Sequence, residues 1–99
     1  MLLHEIAHAR AGDKGDTSNI SVIALQPENW PLIKEQVTAG RVAAHFGIAD
    51  AGSVTCYSIP QLHALNFVLR GALVGGVTRS LALDAHGKCL ASILLDMEI

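Results

Sequence analysis

The sequence has little charge and few aromatic residues. Charged residues make up 16% of the 99-residue chain, aromatic residues 4% and hydrophobic residues 51%. A disordered tail combines low hydrophobicity with high charge, so this composition excludes that class of chain. The formal net charge of -2 lacks the basic excess of a dedicated nucleic-acid-binding domain. No apolar run approaches the roughly 20 residues of a membrane-spanning helix, so neither nucleic acid nor a membrane is expected as a partner.

Cysteine is also scarce. Cys56 and Cys89 are the two cysteines of the chain, and two are too few for a disulfide scaffold. The N-terminal segment MLLHEIAHAR contains histidine and glutamate near its start, which a signal peptide does not. We therefore expect a cytoplasmic protein in which both cysteines lie in strands, as small buried hydrophobic residues rather than nucleophiles.

The length predicts a single domain over residues 1–99, at the small end of what folds alone. Because aromatics are few, its core must consist of leucine, isoleucine, valine and alanine. A small domain has much surface for its volume, so a chain this apolar is expected to expose some hydrophobic surface. Self-association is the usual way to cover such surface, and we expect a homo-oligomer.

The N-terminal part of the chain predicts strands around a loop. Residues 2–10 fit either a strand or a helix that ends at Gly12. The segment Ala11–Asn19 is rich in turn-forming residues and is predicted as a loop. The β-branched, apolar segment Ile20–Leu25 is predicted as a strand buried on both faces.

Two short helices are predicted next. The first has Pro31 in its first turn, where the missing N–H costs no hydrogen bond. Thr38 is positioned to cap the second helix, Ala39–Phe46, which stops at Gly47. The inner face of the first helix is predicted to consist of Leu32, Ile33, Gln36 and Val37.

The C-terminal half predicts a strand, a helix and a hairpin. The strand is Ser53–Ile59, which alternates and is rich in β-forming residues. A helix is predicted over Gln61–Val74 because its apolar residues recur at helical spacing. The alternating runs Val77–Asp84 and Lys88–Met97 predict a hairpin whose turn contains Gly87. Strands and helices interleave while hairpins open and close the chain, so the predicted fold class is α+β, with a mainly antiparallel sheet and helices packed on one face.

The segment from His4 to His8 matches the H-E-x-x-H pattern of zinc proteases. That site needs a helix, because only there do histidines four residues apart reach one metal ion. On a strand the two histidines would stand about 13 Å apart, at a rise of roughly 3.3 Å per residue. No third ligand follows at a recognisable spacing, so we predict no metal site and favour exposed histidines on a first strand.

The stronger candidate for chemistry is the Gly-Asp-Lys-Gly-Asp run that begins at Gly12. This glycine and Gly15 permit backbone N–H groups to approach a ligand closely, and Lys14 adds a cation. The segment suits a carboxylate or a phosphate, whereas Asp13 and Asp16 suit a hard cation such as magnesium. On spacing alone, a polar turn with internal ion pairs is favoured over either ligand. The hydrogen-bonding residues that follow the run are Thr17, Ser18 and Asn19.

Asn66 and Arg70 lie four residues apart on the predicted third helix. Asn66 falls on the stripe of leucines and must be hydrogen-bonded if it is buried. Its partner is then the backbone, another subunit or a ligand, of which the first two are favoured. Arg70 suits an anion or a salt bridge, of which the salt bridge is favoured. Arg10 and Arg79 complete a basic surface if they converge on it.

Two stretches resemble a known family. AHARAGDKGDTSNISVIA (Ala7–Ala24) and LHALNFVLRGALVGGVTRSLALDAHGKCLASILLDMEI (Leu62–Ile99) look like the C-terminal domain of the acyclic terpene utilisation protein AtuA. The resemblance covers essentially the whole chain, and its most specific pieces are the GDKGD-type loop and the stretch Ala64–Lys88. It implies a ferredoxin-like fold and favours the strand interpretation of Leu2–Arg10.

The resemblance also carries an expectation about function. In that family the domain usually follows a much larger N-terminal domain, and this chain resembles a free-standing version. The family is linked to the breakdown of branched acyclic terpenoids, such as citronellol and geraniol, through acyl-CoA intermediates. The resemblance assigns no catalytic role. Two residues depart from the family motif: Ala11 stands where a serine hydroxyl is expected, and Asp16 stands where other small polar residues are common. The positions that match the family pattern are Gly12, Asp13, Lys14, Gly15, Asn19, Asn66, Gly75 and Gly76.

Three functions remain open from the sequence. The leading one is an accessory or regulatory subunit of bacterial acyl-CoA or terpenoid catabolism that partners a separate large AtuA-like chain. The alternative is a small enzyme or ligand-binding protein for an anionic molecule such as an acyl-CoA, with Lys14 or Asp13 as acid or base. The third is a scaffold that only oligomerises. The predicted ligand-binding residues are Gly12, Asp13, Lys14, Gly15, Asn19, Asn66 and Arg70, and no cofactor is predicted.

Overall fold

An antiparallel sheet of four strands carries the fold in the computed structural model, which describes residues 1–14, 17–70 and 89–99. The strand order across the sheet is β1-β2-β4-β3, and each of these neighbouring pairs is antiparallel. Helices pack on one face, which confirms the predicted α+β class. The strands are β1 (Ala7–Lys14), β2 (Thr17–Ala24), β3 (Val54–Ile59) and β4 (Ala64–Arg70). The helices are α1 (Trp30–Gln36), α2 (Ala39–His45) and α3 (Cys89–Leu95).

The core lies between the sheet and the helices. Every second residue of the central strands points into it, and Ile20, Phe67 and Leu69 are fully buried. Side chains of this size each contribute about 1.5–3 kcal/mol when they leave water. The helices bury apolar residues against the same cluster, and these are Ile33, Val42, Ala43, Phe46, Leu90, Ala91 and Leu94.

Local sequence signals account for the ends of α2. The Thr38 side chain accepts a hydrogen bond from the backbone N–H of Arg41 at 3.2 Å, which confirms the predicted cap. Gly47 follows the helix with a φ of 71°, the left-handed conformation that ends many helices. Pro31 occupies the first turn of α1, as predicted.

The predicted helix over Gln61–Val74 is wrong, because Ala64–Arg70 forms β4. The same residues fit both periods. Leu65 and Leu69 have helical spacing, but together with Phe67 they also occupy every second, buried position of a strand. β4 lies between β2 and β3 and supplies hydrogen bonds to both. Because an unpaired buried backbone is costly, this central position selects the strand.

The predicted strand over Lys88–Met97 is also wrong, because Cys89–Leu95 forms α3. Its apolar positions fit a helical stripe in which Leu90 and Leu94 are fully buried, and the helix packs against β1. Cys89 therefore lies in a helix and not in a strand. The predicted strand Val77–Asp84 and the turn that contains Gly87 lie outside the described residues.

The N-terminal predictions are partly corrected. Leu3–Glu5 forms a short 3₁₀ turn, and β1 begins only at Ala7, so the strand interpretation holds for the second part of 2–10. Most of the predicted loop Ala11–Asn19 is strand, because β1 and β2 continue into it. The predicted strand Ile20–Leu25 belongs to β2 but alternates between buried and accessible residues, and is therefore not buried on both faces.

Candidate functional site

One face of the sheet carries no described helix, and most of its residues are polar. We call this the outer face. Its strand positions alternate with the core positions of the same strands, so it follows directly from the period-two geometry. Arg10 and Arg70 on it are exposed, and Asn66 is half-buried. The strand positions of the outer face are His8, Arg10, Gly12, Lys14, Thr17, Asn19, Ser21, Ile23, Thr55, Tyr57, Ile59, Ala64, Asn66, Val68 and Arg70.

Four residues form a row across the middle of the outer face. Arg10 pairs in register with Ser21, Ser21 with Asn66, and Asn66 with Tyr57. The Ser21 hydroxyl donates a hydrogen bond to the Asn66 amide oxygen at 3.1 Å. This bond fixes the orientation of the amide and leaves its two N–H groups directed elsewhere. Tyr57, at the end of the row, is 51% exposed.

The electrostatic character of the outer face is cationic. Arg10 makes no hydrogen bond or ion pair with any described residue, and Arg70 donates to the Thr55 hydroxyl at 2.9 Å. The outer positions of the four strands contain no aspartate or glutamate. Two guanidinium groups without a carboxylate among the described residues of their own face favour an anion or an acceptor-rich surface as partner.

The sheet brings several predicted site residues together. Gly12 pairs in register with Asn19, and Asn19 with Val68, so both predicted residues lie on the outer face beside the row of Arg10. Asn66 and Arg70 lie on the same face, about 13 Å apart at the strand rise of roughly 3.3 Å per residue.

For the predicted residues Asp13 and Lys14, the structure gives the pairing partners on the neighbouring strand. Lys14 lies opposite Thr17. Asp13 lies opposite Ser18, a fully buried residue whose hydroxyl has no hydrogen-bond partner among the described residues. Asp13 and Lys14 occupy successive positions of β1, so they belong to opposite faces of the sheet. Gly15 lies outside the described residues.

Gly12 continues the extended strand β1, and its φ is not positive, unlike that of Gly47. A Cβ atom built on Gly12 would stand 3.7 Å from the Asn19 side chain, an ordinary contact distance. Neither backbone strain nor a close neighbour among the described residues therefore requires glycine at this position.

The structure gives Asn66 and Arg70 partners that the sequence did not predict. The Asn66 amide oxygen accepts a hydrogen bond from the Ser21 side chain. Arg70 bonds to a hydroxyl and forms no salt bridge with a described carboxylate. Both differences follow from the strand, because β4 presents its outer side chains to those of β2 and β3.

The described residues offer no nucleophile paired with a base. Cys56 is half-buried on β3, and burial raises the pKa of its thiol, which disfavours the nucleophilic thiolate at neutral pH. His4 lies in a 3₁₀ turn and His8 in β1, so H-E-x-x-H is not carried on a helix. Among the described residues no group of three or more histidine, cysteine, aspartate or glutamate side chains is placed to hold a metal ion.

A groove of about 310 Å³ lies on the helical side of the molecule, lined by Arg41, His45 and Glu98. Its polar groups are engaged within the chain. Arg41 donates to the backbone oxygen and the side-chain oxygen of Gln36, at 3.0 and 2.9 Å, and to the backbone oxygen of Glu98. The Nε2 atom of His45 lies 2.6 Å from the backbone oxygen of Ile93. These bonds join α2 to the C-terminal segment across the groove.

Sequence reasoning missed three members of the outer face, Ser21, Thr55 and Tyr57. The signal was present in the alternation of β2, where Asn19 and Ser21 are separated by buried residues. This alternation could place the three residues on one face only once β4 was known to be a strand between β2 and β3.

Among the helices that the structure describes, none is long and apolar enough to cross a membrane. In comparisons with known proteins, the family model described as the AtuA ferredoxin-like domain matches residues 1–99. No curated protein and no solved structure matches the chain.

Proposed function

The chain belongs to the AtuA ferredoxin-like domain family, and on that premise we propose that it is an accessory subunit of bacterial acyl-CoA or acyclic terpenoid catabolism. It acts in the cytoplasm and binds a separate large AtuA-like chain through the outer face. Its role is recognition and positioning, and the chemical step belongs to the large chain.

The observation that carries the proposal is the hydrogen-bonded polar row on a sheet face that no described helix covers. Ser21 holds Asn66 in one orientation at 3.1 Å, with Arg10 on one side and Tyr57 on the other. Arginine and tyrosine are enriched at the centres of protein interfaces, where one part of the side chain packs and another bonds. A preorganised amide between them supports a role in binding.

Electrostatics support an acceptor-rich partner surface. The outer face contains Arg10 and Arg70 and, among the described strands, no carboxylate of its own. A negatively charged patch on the large chain would be attracted to this face, which raises the association rate and fixes the orientation. A cationic face without its own acid therefore favours docking over an internal ion-pair network.

The test is isothermal titration calorimetry between this chain and a purified large AtuA-like chain from the same organism. The expected result is binding that weakens with added salt and that Arg10→Glu weakens at least about tenfold, or roughly 1.4 kcal/mol. Arg10 is exposed and makes no described hydrogen bond, so the fold should tolerate the change.

Lys34→Glu is the matched control. It makes the same change of charge at an exposed position of α1, on the helical side of the sheet. We expect its dissociation constant to equal that of the unmodified chain. Absence of binding to the large chain, or equal losses in both variants, would contradict the proposal.

A specific observation favours a second candidate, the binding of an anionic small molecule such as an acyl-CoA or an organic acid. No described neighbour requires glycine at position 12, and the place of its missing Cβ lies on the outer face beside Asn19. A glycine in such a place lets a ligand approach the backbone, and Arg10 lies two residues away along the same face.

Thermal unfolding with coenzyme A, acyl-CoAs and inorganic phosphate tests this second candidate. A ligand at about 100 times its dissociation constant stabilises the fold by roughly 2.7 kcal/mol. For a domain of this size each kcal/mol raises the midpoint by about 4–8 °C. If the outer face is the site, Gly12→Leu and Arg10→Glu remove the shift while Lys34→Glu retains it. No shift with any of these ligands would leave recognition of the large chain as the function.

A further inference from the structure

The proposed function uses the Tyr57 side chain on the outer face of β3 but leaves the backbone edge of this strand unused. Among the described strands, β3 has a hydrogen-bonded neighbour, β4, on one side only. Its sequence over Val54–Ile59 is VTCYSI, without a charged residue, proline or glycine. Native proteins protect exposed edges with charges, prolines or bulges, because an unprotected edge is a template for another strand. By composition, β3 is such a template.

The opposite edge of the described sheet differs in composition. β1 contains His8, Arg10, Asp13 and Lys14. A strand that pairs with its own copy meets its own residues, so a charged strand meets like charges, which destabilise the pair. Of the two edges, only β3 combines β-forming residues with complete neutrality, and this combination favours a second copy of the same strand.

We propose that β3 pairs antiparallel with β3 of a second copy of this chain, so that two four-stranded sheets become one continuous sheet. The operation is a two-fold rotation about an axis perpendicular to the sheet, the commonest symmetry of homodimers. The outer faces of both copies then lie on the same side of the joined sheet. The interface consists of the backbone edge of β3 and shares only Tyr57 with the row of Arg10, Ser21 and Asn66, so absence of the dimer in sedimentation would not by itself contradict the proposed function.

Strand geometry restricts the register of this pairing. Residues directly opposite each other must belong to the same face of the sheet. Two registers meet this condition and pair five of the six residues of β3. In the first, Cys56 lies opposite its own copy and Thr55 opposite Tyr57. In the second, Tyr57 lies opposite its own copy and Thr55 opposite Ile59.

Tyr57 gives the pairing a hydrophobic component. Its side chain is 51% exposed on the outer face of the edge strand. In either register the two Tyr57 residues are direct or diagonal neighbours across the two-fold axis, within reach of an aromatic pair. Pairing therefore buries part of the large Tyr57 ring, which is half-exposed in the single chain.

The joined strands bury less surface than a standard interface, so we expect a reversible dimer. Sedimentation velocity across about 1 µM to 1 mM, the range that weak complexes span, should show a concentration-dependent change from monomer to dimer. Tyr57→Lys should be monomeric throughout, because it brings two like charges together at the axis. His8→Lys is the matched control, since it adds the same charge at an exposed position of the other edge strand and should dimerise normally.

Disulfide trapping under a mild oxidant tests the geometry directly. In a Cys89→Ser background, the first register brings each Cys56 opposite its copy. In the triple variant Cys89→Ser/Cys56→Ser/Tyr57→Cys, the second register does the same at position 57. Cross-strand Cβ atoms at about 4.5–5.5 Å approach the roughly 3.5–4.5 Å of a disulfide, so one of these proteins should form a covalent dimer. A monomer at all concentrations, a dimer that survives Tyr57→Lys, or the absence of both crosslinks would overturn the proposal.

Discussion

Ser21 on β2 and Asn66 on β4 lie directly opposite each other, and the serine hydroxyl donates a hydrogen bond to the amide oxygen at 3.1 Å. The pair joins the two central strands on the outer face, at the midpoint of the row between Arg10 and Tyr57. Both side chains are partly shielded from water, so their bond contributes more than one between fully exposed groups.

The first prediction concerns this pair. Ser21→Ala and Asn66→Ala should each lower the free energy of unfolding by about 0.5–1.5 kcal/mol, the usual contribution of one such hydrogen bond. The double variant should lose less than the sum of the two, because the same bond is lost in each single variant. Urea denaturation of the four proteins measures the coupling, and strict additivity would show that the bond does not form in solution.

The second prediction separates the strand β4 from a helix. Leu62 is 65% exposed just before β4, and Leu65 within it is 2% exposed. Leu65→Ala should therefore lower the free energy of unfolding by about 2–5 kcal/mol, whereas Leu62→Ala should change it by no more than about 0.5 kcal/mol. A helix over Gln61–Val74 would bury both leucines on one stripe. Similar losses in the two variants, measured by chemical denaturation, would therefore favour the helix.

The third prediction concerns glycine-to-alanine substitutions at two positions, which should change the stability of the protein in opposite directions. Gly40 lies in the first turn of α2, and a Cβ added there would meet nothing within 4 Å. Gly40→Ala should stabilise the protein by about 0.4–1 kcal/mol, because alanine has the higher helix propensity and restricts the unfolded chain. Gly47 has a φ of 71°, so Gly47→Ala should destabilise the protein by about 1–2 kcal/mol. The thermal midpoints should move in opposite directions, and a rise for both would contradict the left-handed turn.

The fourth prediction concerns the thiol of Cys56. Desolvation raises its pKa in the folded state, so the folded protein holds the proton more tightly than the unfolded chain. The stability that this adds is complete below the ordinary pKa of a thiol and is lost as pH rises through the raised value. In a Cys89→Ser background, alkylation of the native thiol should be slower than in denaturant at the same pH. Cys56→Ser should remove part of the decline of stability at alkaline pH, and an unchanged decline would contradict the shift.

Some of this structure can be predicted from neighbouring residues alone. Thr38 as the cap of α2, Pro31 in the first turn of α1 and Gly47 after the second helix were each predicted correctly, because caps and turns depend on the backbone of a few adjacent residues. The α+β class and the antiparallel sheet were also predicted from patterning, and the family from its motifs.

The candidate site shows the opposite case. The sequence identified Asn19 and Asn66 separately, but it placed Asn66 on a helix and offered no reason for the two to share a face. Their common face exists because β4 pairs with β2, across more than forty residues of chain. The pairing of β4 with β2 and with β3 also makes Ser21 and Tyr57 neighbours of Asn66. No local pattern in the sequence connects these three residues.

The sequence by itself determined a largely aliphatic core, the ends of α2 and the polar character of Asn19 and Ser21 in β2. It did not predict that Phe46 and Phe67 are the largest fully buried side chains of the core. Only the tertiary structure decided that Ala64–Arg70 is a strand and Cys89–Leu95 a helix. Both segments have apolar residues that fit period two and period 3.6, so periodicity alone does not separate them. β4 is a strand because two neighbouring strands bond to its backbone, and α3 is a helix that satisfies its own backbone hydrogen bonds while its leucines cover β1. The partners that decide between these states are distant in sequence, and they exist only once the chain has folded.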